Sequence, residues 1–124
     1  MSSRPQIAPF PVILNGAMSG SITSTVTVIQ KLSLISYSIS WSGSTPVGTM
    51  SVEVSNDYEQ NSDGSVRVAG TWNTLPLDAA TAVSGNTGNG FIDIDLQGGY
   101  ALRLVYTRTS GTATMQAVMS AKVA

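Results

Sequence analysis

Along this chain the clearest order is a two-residue alternation of apolar and polar side chains. In "ISYSISWSG" Ile35, Tyr37, Ile39 and Trp41 alternate with Ser36, Ser38, Ser40 and Ser42. A period of two is the signature of a strand, because successive side chains point to opposite faces of a sheet. Register is specified strongly here, since a slip of one residue would bury every serine. "GTMSVEVSND" repeats the pattern, with Met50, Val52 and Val54 inward and Ser51, Glu53 and Ser55 outward. "SITSTVTVI" puts Ile22, Val26 and Val28 in phase, and "GFIDIDL" sets Ile92, Ile94 and Leu96 against Asp93 and Asp95. "VRVAGTWNTL" is a shorter candidate.

Near the C-terminus, "ALRLVYTRTSGTATMQAVMSAKV" contains two alternating runs. Leu102, Leu104 and Tyr106 share one face in the first; Met115, Ala117, Met119, Ala121 and Val123 share one in the second, with Val118 out of pattern. The pair reads as a closing hairpin with Ser110 and Gly111 at its turn. "SGSTPVG", "SNDYEQNSDGS" and "VSGNTGNG" read as loops, being dense in turn residues. No window of ten or more residues holds a helical period, and Pro76 interrupts the nearest candidate. The expected fold is an all-β, antiparallel two-sheet sandwich or jelly roll of about seven or eight strands. Its expected core is Ile35, Tyr37, Ile39, Trp41, Val52, Val54, Ile92, Ile94, Leu102 and Leu104.

The opening fifteen residues break this regularity. Pro5, Pro9 and Pro11 forbid a regular helix and cannot donate to a central ladder. They also make the segment a poor signal peptide. Residues 1–15 are therefore expected as an extended N-terminal arm on a β-sandwich domain spanning 16–124. Ile7, Phe10, Val12, Ile13 and Leu14 are its candidates for burial, either on the arm's own domain or in an interface with a neighbouring subunit.

Composition narrows the chemistry. The 124 residues fit one domain, which buries roughly two-thirds of its unfolded surface. There is no cysteine and no histidine, which removes Ser-His-Asp and Cys-His catalysis and ordinary zinc or copper sites. A Ser-Lys pair would have to use Lys31 or Lys122, both in or beside strand-like segments rather than a desolvated pocket. Six basic residues against seven acidic give a net charge of -1, too small to draw the chain to nucleic acid or an anionic membrane. No stretch approaches the roughly eighteen apolar residues of a spanning helix. Serine and threonine make up about a quarter of the chain, so the surface is one of neutral hydroxyls suited to close packing against other protein.

Two acidic groupings are candidate cation sites. Asp93 and Asp95 share a strand face and could hold a hard cation, but that face is also the polar side of an amphipathic strand. In "DYEQNSDG", Asp57, Glu59, Asn61 and Asp63 fall at alternate positions, as in a calcium loop. Taking the last three as ligands puts Gly64 in place, yet Gly70 stands where the closing Glu is required. The expectation is no catalytic residue, no cofactor and no metal. Among aromatics, Tyr58, Trp72 and Tyr100 stand outside the alternating runs. Exposed and coplanar, they would suit a carbohydrate; packed at an edge, they are structural.

The succession "SYSISWSGSTPVGTMSVEVSND", "GTWNTL", "YALRLVYTRTSGTATMQAVMSAKV" resembles small β-sandwich structural proteins that bacteriophages encode among their virion genes. The phrases "W-S-G … P-V-G-T … V-S-N-D" and "R-L-V-Y-T-R-T-S-G-T" carry the resemblance, which covers roughly Ser36 to the C-terminus. It implies a non-enzymatic protein that decorates or cements a capsid, or belongs to a head fibre or tail accessory. On this reading it is assembled in the host cytoplasm as a homo-oligomer and bound to the major capsid or other virion proteins. "V-E-V-S-N-D" followed by a Trp is also similar to discoidin-like and other carbohydrate-binding sandwiches. The alternative implied is a glycan-binding or tail-associated host-attachment module, with Tyr58, Trp72 and Tyr100 as contacts.

Overall fold

A computed structural model describes residues 6–29, 32–75, 81–94 and 100–123, with no side-chain description at 6–8, 32, 33, 81 and 123. Two long strands organise it: β4 (Leu32–Ser55) and β10 (Ala101–Val123). They run antiparallel to one another over nearly their whole length, from Val123 opposite Leu32 to Ala101 opposite Ser55. Each is bent in the middle, and the ladder slips between Arg108 and Ser110 and again between Ser110 and Thr112.

On one side of the bend, β1 (Gln6–Ala17) pairs with the second half of β10, and β9 (Thr87–Ile94) pairs with the first half of β4. On the other, the short β2 (Ile22–Thr23) and β3 (Thr27–Val28) flank β10, while β7 (Asn73–Leu75) and β8 (Thr81–Val83) flank β4. A separate small hairpin joins β5 (Glu59–Gln60) to β6 (Val66–Val68). The molecule is an all-β antiparallel sandwich whose two layers share β4 and β10. Strands that switch sheets through a bend or bulge are how such corners are made.

The side-chain pattern follows the bend. Before it, β4 buries the odd positions Ile35, Tyr37, Ile39 and Trp41; after it, the even positions Met50 and Val52. β10 reverses in register, burying Leu102, Leu104 and Tyr106, then Met115, Ala117, Met119 and Ala121. Buried side chains of both layers form one cluster. The expected core residues all belong to it, with Val54 partly buried at its margin. At the corner, the Tyr106 hydroxyl donates to the Val47 carbonyl at 3.2 Å, and the Thr45 amide donates to Asn86 Oδ1 at 2.8 Å. Thr45 itself sits at φ 44, a conformation a β-branched residue rarely adopts.

Several expectations are corrected. Ser110 and Gly111 do not turn a hairpin between two strands, because β10 continues through them and both its halves pair with β4. "SGSTPVG" is likewise part of β4 and not a loop. "SITSTVTVI" is not one alternating strand. Ser24 is buried within it and breaks the phase: its amide donates to the Leu104 carbonyl and its Oγ accepts from the Leu104 amide, each at 2.8 Å. Thr27 and Ile29 are then buried, leaving Val26 and Val28 half-exposed.

The N-terminal segment is not a separate arm from Gln6 onward. The boundary expected between 15 and 16 falls inside β1, which is an edge strand of the sandwich. Three register slips, between Ile7 and Phe10, Pro11 and Ile13, and Ile13 and Gly16, accommodate its prolines; edges and bulges are where a sheet tolerates residues without an N–H. The same slips turn the adjacent Val12 and Ile13 both inward. The Thr25 amide, donating to the Val12 carbonyl at 3.1 Å, ties this edge to the other layer.

Candidate functional site

Of the five apolar residues expected at an interface, the fold uses most internally. Val12 and Ile13 are core, and Phe10 packs against it partly buried. Leu14 is 71% exposed and remains available to a partner. The side chain of Ile7 lies outside the described residues.

Tyr58, Trp72 and Tyr100 do not make an exposed coplanar set. Tyr58 is buried, and its ring meets Trp72 at 5.7 Å with the planes tilted by 58°. The Arg103 guanidinium lies 4.2 Å from the Trp72 ring centroid and is itself paired to Glu53 at 2.7 Å. Trp72 Nε1 donates to the Ala69 carbonyl at 2.9 Å. Cation–π contact and edge packing thus occupy this ring. Tyr100 is half-buried, and its backbone bridges Ser55 and Ile29.

The acidic loop is held by its own hydroxyls and amides. Asp57 Oδ1 accepts from the Thr71 amide at 2.7 Å and from Ser55 Oγ at 2.9 Å. The Thr71 amide, then the Ser55 hydroxyl, hold its carboxyl below the usual carboxylate range. Asp63 is lowered in the same way by the Ser65 hydroxyl and amide. Among the described residues no group of three or more acidic side chains could hold a metal ion. Asp93 is exposed on β9, as Lys122 is on β10; Asp95 and Lys31 lie outside the described residues.

What the fold does assemble is an outer face on the layer formed by β1, β10, β4 and β9. Cross-strand register sets Pro11 beside Val118, Val118 beside Ser38, and Ser38 beside Phe91, a row spanning four strands. The row on one side is Gln116, Ser40 and Asn89; on the other, Ser120, Ser36 and Asp93. Asn15 and Gln116 exchange hydrogen bonds, backbone N–H to Oε1 and Nε2 to Oδ1. Phe91 is 64% exposed and stands between two shallow depressions of about 400 and 230 Å³. The first is floored by Ser38, Ser40 and Val118, while Asp93 and Lys122 border the second. Sequence reasoning did not single out Phe91, although the signal was present: with Ile92 and Ile94 inward, residue 91 must face out.

This face offers hydroxyls, amides and one aromatic ring for packing against a surface, with Asp93 and Lys122 at one margin.

No family model matches the chain, and no curated protein matches it. Among solved structures it is similar to the SPBc2 prophage-derived protein YomS over 97% of this chain and 96% of that one, at 10% sequence identity and a TM-score of 0.49. At that score the likeness bears on neither the fold nor the role of this chain.

Proposed function

We propose that this chain is a non-enzymatic structural protein of a bacteriophage virion that decorates or cements the capsid by packing its neutral face on the major capsid protein or another virion protein. The observation that carries the reading is the outer face of the β1–β10–β4–β9 layer. Four strands at ~4.8 Å spacing and eight residues at ~3.3 Å rise make a patch of roughly 500 Å², of the order of the ~800 Å² each partner contributes to a stable interface. The central rows carry no charge into the contact, Asp93 and Lys122 lying at one margin, so the desolvation that makes buried ion pairs costly is small there. The resemblance of Ser36 to the C-terminus to virion β-sandwich proteins supports the same reading, and Leu14 adds an apolar point at the β1 edge.

Adding purified protein to particles that lack it tests the proposal. Wild-type protein should sediment with the particles, whereas Ser38→Glu, a charge placed on an exposed position of the face, should not. Equal binding by both would remove this face from the account.

A further inference from the structure

We infer that two copies of this chain pair edge to edge through β9, antiparallel about a two-fold axis at Phe91. The inference does not rest on the virion reading. Its ground is the contrast between the two edges of one layer. β1, at one edge, carries Pro9 and Pro11 and slips register three times, the devices by which natural edges are blunted. β9, at the other, pairs with β4 through eight consecutive residues without a slip, contains no proline, and among the described residues pairs with nothing else. An even edge that no other described strand pairs with is a template for another strand.

Phe91 identifies that strand as a second β9. The ring stands at mid-strand on the outer face, 64% exposed. Antiparallel pairing centred on it sets Phe91 against the second copy's Phe91, and Asn89 against the second copy's Asp93, on the same face. On the inner face Gly90 meets Ile92 and Gly88 meets Ile94. Each carboxylate then faces an amide that can donate to it. Centring the pair on Asp93 would oppose two carboxylates, and like charges directly opposite destabilise a sheet. The symmetric register also packs the two rings against each other, covering part of the surface each exposes, and it joins two four-strand layers into one continuous face, twice the size of that in a single copy. A two-fold contact of this kind closes on itself and cannot propagate into fibres.

The chain contains no cysteine, so Phe91→Cys introduces a single thiol. Directly opposed residues of an antiparallel pair lie ~4.5–5.5 Å apart, within disulfide reach. Under mild oxidation the purified variant should cross-link to a covalent dimer much faster than Val66→Cys, whose thiol would stand exposed on the separate small hairpin. Light scattering of the wild-type chain should give twice the chain mass, and Phe91→Lys, with unchanged circular dichroism, should give the monomer mass. A wild-type monomer at every concentration would overturn the inference. So would a dimer that survives Phe91→Lys, or cross-linking at position 91 no faster than at 66. Because only purified chain is used, its outcome is separate from that of the capsid reading.

Discussion

Replacing Gly111 by alanine probes the corner through which β10 passes from one layer to the other. Gly111 has φ +80, and a Cβ there would lie 2.0 Å from the Thr45 carbonyl oxygen, 2.6 Å from the Thr45 carbonyl carbon and 2.7 Å from Pro46 Cα. All three are backbone atoms, so no flexible side chain can move aside. The left-handed conformation costs an L-residue about 1–2 kcal/mol, and forcing packed strands apart a further ~1–3 kcal/mol. The expected total is about 2–5 kcal/mol, against the ~6–19 kcal/mol that a chain of this length holds, so the variant should still fold. Two other glycines separate the two contributions. Gly64 has φ +90 with nothing within 4 Å, so Gly64→Ala should show the conformational cost alone; Gly20 has nothing within 4 Å and no such φ, so Gly20→Ala should be near neutral. In urea unfolding with an m-value of about 1.5 kcal/mol/M, Gly111→Ala should lower the midpoint by roughly 1–3 M at constant m. If its midpoint shift equals that of Gly64→Ala, the strands do not meet closely at the corner and the shared-strand description is wrong.

Other perturbations test separate parts of the fold. Ile13→Ala should cost about 2–5 kcal/mol by thermal or chemical denaturation, whereas Leu14→Ala beside it should stay within about 0.5 kcal/mol; the reverse order would put β1 back outside the core. The Tyr37 hydroxyl is buried without a hydrogen-bond partner among the described residues, and burial pushes its phenol well above the usual range. Tyr37→Phe should therefore be neutral or stabilising by up to about 1–3 kcal/mol, and a clear loss of stability would show that the hydroxyl is satisfied. The lowered Asp57 carboxyl contributes stability above its unfolded pKa of ~3.9 that is lost as pH falls through its folded value. Asp57→Asn should flatten the stability profile below about pH 4, and an unchanged acid limb would mean that Thr71 and Ser55 do not hold the carboxylate.

The legible parts of the fold were those where alternation is uninterrupted. Ile35 to Trp41 between serines leaves one possible register, and Ile92 and Ile94 settle the face of β9, including the outward position of Phe91. The corners were misread because Gly43, Thr45, Pro46 and Gly111 carry the residue chemistry of turns, and composition alone does not distinguish a chain that reverses from one that bends and continues. The usable sign was a correlation across the chain: the buried phase changes between Trp41 and Met50, and again between Tyr106 and Met115. β1 was obscured for a different reason, since its bulges place Val12 and Ile13 inward together and erase any period. Arg103 over Trp72 joins residues far apart in sequence, and no local pattern marks such a contact.

Reconstruction of particles made with and without this chain is the most direct measurement of its role. The account requires density for a two-layer β-sandwich at regular positions on the shell of the complete particles, with the β1–β10–β4–β9 face turned toward the capsid, and its loss from particles made without the chain. Particles identical in the two reconstructions, or density that contacts the shell through another surface, would contradict it.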